Sequence, residues 1–238
     1  MPRVQTESHE RKPNQHRDRP VQEQPENKAR TNRAQEVVAV LFVAAASLAG
    51  PVVGAMAVLL WARFSRTPLQ QLGLKAPPDW PSVLAASVAL GIVLRLALKA
   101  LVMPLLGAPA VNASYRHLAG NEAALPGMIA GLLVAGLAEE FLYRGYVFER
   151  FRALRGVGQG ALNASIFVST ALFAVAHYGD QGHFGVIQSA ISGLVFASVF
   201  ARHGHLWSPI VIHITFNLTS VALIYGGWEE AVARAVFR

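Results

Sequence analysis

The sequence contains no cysteine. That excludes thiol nucleophiles, disulfide staples and cysteine-ligated metal centres. Charge is scarce as well. Only 15% of the 238 residues are Asp, Glu, Lys or Arg, against about 25% in a soluble domain. The charge is also unevenly placed. Residues 1–36 are almost wholly polar and carry Arg3, Arg11, Lys12, Arg17, Arg19, Lys28, Arg30 and Arg33. Such a segment cannot bury enough apolar surface to offset the entropy of ordering, so it is expected to be a disordered tail. The net charge of +7 comes mostly from this tail and from short loops. Basic residues flanking membrane spans are ordinary, so no nucleic-acid partner is expected.

From Val37 onward long apolar runs recur to the C-terminus. A membrane helix needs about 20 mostly apolar residues. Six stretches qualify: 37–61, 81–106, 125–151, 161–178, 184–201 and 206–225. The first begins too late and runs too long to be the core of a signal peptide. The expected fold is all-α, a polytopic transmembrane helical bundle of about six or more spans over residues 37–238, preceded by the tail. Gly50-Pro51 is expected to kink span one. Between spans one and two, "PLQQLGL" could form a short interfacial turn. Gly156, Gly158 and Gly160 superficially suggest a phosphate loop, but no strand precedes them and they read as a turn. The three Asn-X-Ser/Thr matches, at Asn112, Asn163 and Asn217, are ascribed to chance, since two fall inside spans. Orientation is ambiguous. The basic tail favours a cytoplasmic N-terminus, whereas Arg63, Arg66, Lys75, Arg150, Arg152 and Arg155 favour the opposite.

Polar residues inside the spans need a reason, because a charge at the bilayer centre costs about 2.5–3.5 kcal/mol even on lenient insertion scales. Span two holds Arg95 and Lys99 on one helical face. They either contact substrate or snorkel toward a helix end. Span three holds Glu139, Glu140 and Arg144. Glu140 and Arg144 are four apart and can pair. Glu139 lies about 100° further round the helix, so it is left as the perturbable carboxylate. Span four ends in "FAVAH", which places Phe173 and His177 on one face. Span six holds "HITFN", which does the same for His213 and Asn217.

These residues are the parts of a peptide hydrolase. A carboxylate and an imidazole can deprotonate a water, and an imidazole and an amide can donate to an oxyanion. Glu139, His177 and His213 equally make a donor set for a divalent metal such as zinc, with an open position. The residues alone leave both mechanisms open.

"EEFLYR", "FAVAH" and "HITFN" match the motifs EExxxR, FxxxH and HxxxN. In this order they resemble the CPBP family, the CAAX proteases and bacteriocin-processing enzymes, also described as Abi or type II CAAX prenyl endopeptidase-like. The resemblance covers about residues 125–225. It implies an intramembrane endopeptidase in which Glu139 and His177 activate water and His213 and Asn217 form the oxyanion site. Glu140, Arg144 and Phe173 would support them. The family has been described both as metalloproteases and as metal-free, glutamate-dependent enzymes. The expected partners are the lipid bilayer and a membrane-associated or lipidated peptide or protein. The expected location is a bacterial cell (inner) membrane. A rival reading is a non-catalytic membrane partner or bacteriocin self-immunity factor. A transporter ranks last, because no inverted repeat is found.

Overall fold

The computed structural model describes residues 37–156 and 158–237. The expected disordered tail, 1–36, lies outside the described residues. Contacts divide the chain after Val40, and the unit from Leu41 onward carries the long apolar helices. Among the described residues there are helices and connecting turns but no strand.

We number the helices α1 (Val37–Ser47), α2 (Pro51–Ser65), α3 (Trp80–Leu105), α4 (Glu122–Arg155), α5 (Gln159–Ala176), α6 (Tyr178–His203), α7 (Trp207–Tyr225) and α8 (Glu229–Ala233). Helices α3 to α7 are long and apolar enough to cross a membrane, by length and composition. Span one is corrected. It is two shorter helices separated at residues 48–50, not one kinked helix. Gly50 has φ 115°, and Pro51 opens α2. Proline suits a first helical turn because its missing N–H would be unpaired there anyway. The same logic places Pro81 at the start of α3. The Asp79 side chain adds a long cap to α3, accepting from Ser82 N at 3.5 Å.

Two more boundaries differ from expectation. Residues 149–155 continue α4 as helix and are not a connector. Gly156 then ends it at φ 96°, a conformation that costs glycine little. Residues 161–178 were expected to be helical throughout, but α5 stops at Ala176 and His177 is its C-cap. Helix α6 starts one residue later and is broken at Gly182, with φ 63° and ψ −162°. The "PLQQLGL" segment does make a short turn, a 3-10 helix at Leu69–Leu72. Its Gly73 carbonyl accepts from Leu206 N at 2.9 Å.

Close approach of helices follows from small residues, as expected where lipid offers no hydrophobic driving force between them. A Cβ on Gly91 of α3 would sit 2.7 Å from Ile212 O of α7. A Cβ on Gly193 of α6 would sit 2.8 Å from the Phe173 ring of α5 and 3.1 Å from the Arg144 guanidinium of α4. Aromatic contacts fill the remainder. Trp61 meets Tyr146 edge-on at 4.9 Å, and Phe148 meets Phe200 at 5.1 Å.

Within α4, residues Phe141–Phe148 wind as a π-helix. Such stretches are rare and concentrate at functional sites. Here the run follows directly on the two glutamates. Glu140 and Arg144 are fully buried among helices, while Glu139 and Tyr143 line a cavity.

Candidate active site

The cavity has a volume of about 460 Å³ and is lined by residues of α1 to α7. Glu139, His177, His213 and Asn217 all border it. Three separate stretches of sequence are thus brought together as expected. The depths of the two sides agree. Glu139 precedes Arg155 by about 24 Å of helix, and His177 follows Gln159 by about 27 Å. Both lengths are counted from the short connection between α4 and α5. A span three ending at Phe151 would instead leave His177 too deep to meet Glu139.

Glu140 is the structural carboxylate. Its Oε1 accepts from Arg144 Nη1 at 2.8 Å and from His213 Nδ1 at 2.8 Å. Arg144 also donates to Gly193 O at 3.1 Å and stacks over Phe173 at 4.4 Å. The pair therefore ties α4 to α5, α6 and α7. Phe173 lies between the guanidinium and the site. Its ring is 4.6 Å from that of His177 and 5.7 Å from that of His213. Phe196 stacks on the other side of His213 at 4.9 Å.

The hydrogen bonds determine which nitrogens face the cavity chemistry. His177 Nδ1 meets Phe173 O at 2.8 Å. A carbonyl only accepts, so Nδ1 carries the proton and the neutral ring presents a lone pair at Nε2. His213 Nδ1 likewise donates to Glu140. Both Nε2 atoms approach Glu139 Oε2, at 4.0 Å for His177 and 3.8 Å for His213. These gaps are too long for direct hydrogen bonds. A single water oxygen can bridge each with two bonds of about 2.8 Å. The Glu139 side chain keeps 15% of its exposure, whereas that of Glu140 keeps none. Adjacent glutamates therefore occupy different environments.

The donor set is of zinc type, and each histidine has the partner for its other nitrogen that metal ligands usually have. The spacing is too wide, however. Bonds near 2.1 Å in a tetrahedral site would bring donors to about 3.4 Å of one another. Among the described residues no trio of His, Asp or Glu is arranged to hold a metal ion.

Sequence reasoning missed several wall residues. Tyr115, Tyr143, Asp180 and Gln188 also line the cavity. Tyr115 sits on the connector before α4. Burial, then the charges of Asp180 and Glu139, push its hydroxyl above the usual tyrosine range. It therefore remains a protonated donor at neutral pH. No motif marks it; only the return of the connector over the cavity brings it there. Arg95 and Lys99 do not snorkel. Both are buried, at 3% and 7% exposure. Lys99 Nζ donates to Glu229 at 2.9 Å and to Ala110 O at 2.6 Å.

With three motifs converging on one cavity, comparison with known families becomes decisive. Residues 121–219 match the family model described as type II CAAX prenyl endopeptidase Rce1-like. This segment is similar to the Rce1-like family. The match bears out the resemblance read from the motifs. No curated protein and no solved structure matches the chain. The Rce1-like segment spans α4 to most of α7 and contains all three motifs. Helices α1 to α3, with Arg95 and Lys99, fall outside it. The apolar helices and the family match together support an integral membrane protein.

Proposed function

We propose that the protein is an intramembrane endopeptidase acting on a membrane-associated or lipidated peptide or protein. One observation carries the reading. Glu139, His177, His213 and Asn217 meet on a single cavity, with Glu139 free of the ion pair that occupies Glu140.

A water between Glu139 and His177 donates one hydrogen bond to each acceptor. Glu139 takes a proton as the oxygen attacks the scissile carbonyl carbon. The carbonyl oxygen becomes an oxyanion opposite His213 and Asn217. In that role His213 acts as an imidazolium. Its Nδ1–H is held by Glu140 and its Nε2–H faces the oxyanion. The Asn217 amide supplies the second donor. The C–N bond then breaks, and the proton on Glu139 passes to the departing amine. Glu140 and Arg144 position His213 and do not touch substrate. No step passes through a metal.

The test is cleavage of a lipid-anchored peptide library by purified protein in bilayer nanodiscs, with and without a chelator. Cleavage by wild type, lost in Glu139→Gln and untouched by the chelator, supports the reading. Full cleavage by Glu139→Gln rejects the base assignment. Loss of wild-type cleavage on chelation, restored by zinc, rejects the metal-free steps.

A further inference from the structure

Helices α3 to α7 alternate in direction, so their ends define two faces of the bundle. Contacts hold each face together. On the first, Leu206 N donates to Gly73 O at 2.9 Å, Trp80 lies 5.4 Å from Trp207, and the Arg150 guanidinium lies 4.9 Å over Trp61. On the second, Ser114 Oγ donates to Asp180 O at 2.9 Å, and Gly120 N donates to Tyr225 O at 3.1 Å. The faces differ in charge. Among the described residues, the first (63–80, 149–160 and 202–207) carries seven cations against two carboxylates, Asp79 and Glu149. Arg63, Arg66 and Lys75 lie around and beyond the end of α2. Arg150, Arg152 and Arg155 close α4, and Arg202 closes α6. The second face (106–122, 177–183 and 225–237) carries Arg116 and Arg234 against exposed Glu122, Asp180 and Glu230. Its remaining carboxylate, Glu229, is buried and paired with Lys99.

The cavity that holds Glu139 belongs with the second face. Asn112, Tyr115, Leu118, Asp180 and Gln181 border it, and none of its lining residues comes from the first face. The conflict over orientation in the sequence depended on span one crossing as a single helix. A Cβ on Gly54 would sit 2.6 Å from Ser47 Oγ, whereas seven residues of a straight helix span about 10.5 Å. The chain therefore turns sharply between α1 and α2, and the alternation that set the tail against the connectors no longer applies. The connectors by themselves then decide the orientation.

We infer that the first face lies against anionic headgroups of the cytoplasmic leaflet, so that the Glu139 cavity opens on the outer side of the membrane. Lys and Arg near span ends stay on the cytoplasmic side, and short loops count most. The same leaflet carries anionic lipid, which attracts cations beside a span. A guanidinium fork matches a phosphate with paired hydrogen bonds, and Arg63, Arg66, Arg155 and Arg202 are exposed to make them. Trp80 and Trp207, paired at the start of α3 and α7, are rings of the kind that anchor spans at headgroup level. The second face has no cation excess to compete. On the peptidase reading above, the peptide is therefore met from the outer side.

The absence of cysteine makes the test direct. Single cysteines are placed at exposed residues, Gln70→Cys and Ala153→Cys on the first face and Ala113→Cys and Ala119→Cys on the second. Each full-length variant is produced in a bacterial host, and intact spheroplasts are treated with a membrane-impermeant maleimide. Labelling is normalised to that in detergent. Ala113→Cys and Ala119→Cys are expected to label at least tenfold more than Gln70→Cys and Ala153→Cys. The reverse pattern, or equal labelling of both faces, overturns the inference. Lipid contact is read from tryptophan fluorescence of the full chain in nanodiscs. Brominated phosphatidylglycerol is expected to quench at least twofold more than brominated phosphatidylcholine at equal content. That excess should vanish when Arg63→Gln, Arg66→Gln, Arg155→Gln and Arg202→Gln are combined. Equal quenching of wild type by the two lipids, or an excess that survives in the combined variant, overturns the anionic contact. Neither readout needs cleavage, so failure of the orientation and failure of the endopeptidase reading are told apart.

Discussion

The same isosteric change at two neighbouring positions, Glu139→Gln and Glu140→Gln, should separate chemistry from stability. At Glu140 the carboxylate is fully buried and receives two charge-assisted bonds, from Arg144 and His213, each at 2.8 Å. Its other oxygen, Oε2, is buried without a partner, so a glutamine amide can point that way and leave Oε1 in place. Both bonds then survive as bonds to a neutral acceptor. A hydrogen bond to a charged group contributes about 1.5–3 kcal/mol and a neutral one about 0.5–1.5. The Arg144 bond stays charge-assisted through its guanidinium, so the His213 downgrade costs about 1–1.5 kcal/mol, with Arg144 in addition left buried without its counter-ion. Glu140→Ala removes the acceptor outright and should cost about 3–5 kcal/mol, as breaking a buried ion pair does. Glu139 makes no direct hydrogen bond among the described residues and faces the cavity, so Glu139→Gln should change stability by less than about 0.5 kcal/mol. The assay is unfolding in mixed micelles by increasing SDS fraction, followed by circular dichroism, beside peptide cleavage in nanodiscs. The expected pattern is that Glu139→Gln is stable and inactive, while Glu140→Gln is destabilised. Equal stabilities for the two variants would refute the division of roles between the glutamates.

Lys99→Met should destabilise by about 3–5 kcal/mol, because Glu229 is left buried without its contacting cation and keeps only the Asn112 N–H. Adding Glu229→Leu should recover most of that loss in the same SDS titration, and failure to recover would show that the ion pair does not anchor α8. His205, in the turn before α7, is buried with Nδ1 unpartnered. Burial, then nearby His203 and Lys75, hold its pKa below the ordinary 6.5. The folded state thus binds this proton less readily than the unfolded state. Its contribution to stability is full above about pH 6.5 and is lost as pH falls through that value toward the folded pKa. Melting temperature should therefore drop between pH 7.5 and 5 in wild type and drop less in His205→Gln. Identical slopes would remove His205 as the cause.

Much of the site was legible because bilayers make polar residues conspicuous. Glu139, Glu140, Arg144, His177, His213 and Asn217 stood out as polar groups in apolar runs. The spacing of four also assigned Arg144 to Glu140. The helix ends were less legible. The break at residues 48–50 turned one span into two shorter helices, and α4 ran on through a charged stretch that read as a loop. Backbone propensity near glycine and proline marks a break without saying whether the chain bends or stops. The π-helical stretch had no sequence signal at all, since it depends on how α4 packs against its neighbours.

The sequence by itself determined that the chain is helical, built of apolar spans, and equipped with two glutamates, two histidines and an asparagine at helical spacing. Hydropathy and periodicity are local properties, so they can be read along the chain without knowing its path in space. Only the tertiary structure decided which nitrogen of each histidine faces Glu139, and that Glu140 serves both Arg144 and His213. It also decided that Lys99 has a carboxylate partner in contact and Arg95 does not. Those are contacts between helices as much as 130 residues apart in the chain. A counter-ion is supplied by whichever helix packs alongside, and that neighbour is set by packing in three dimensions.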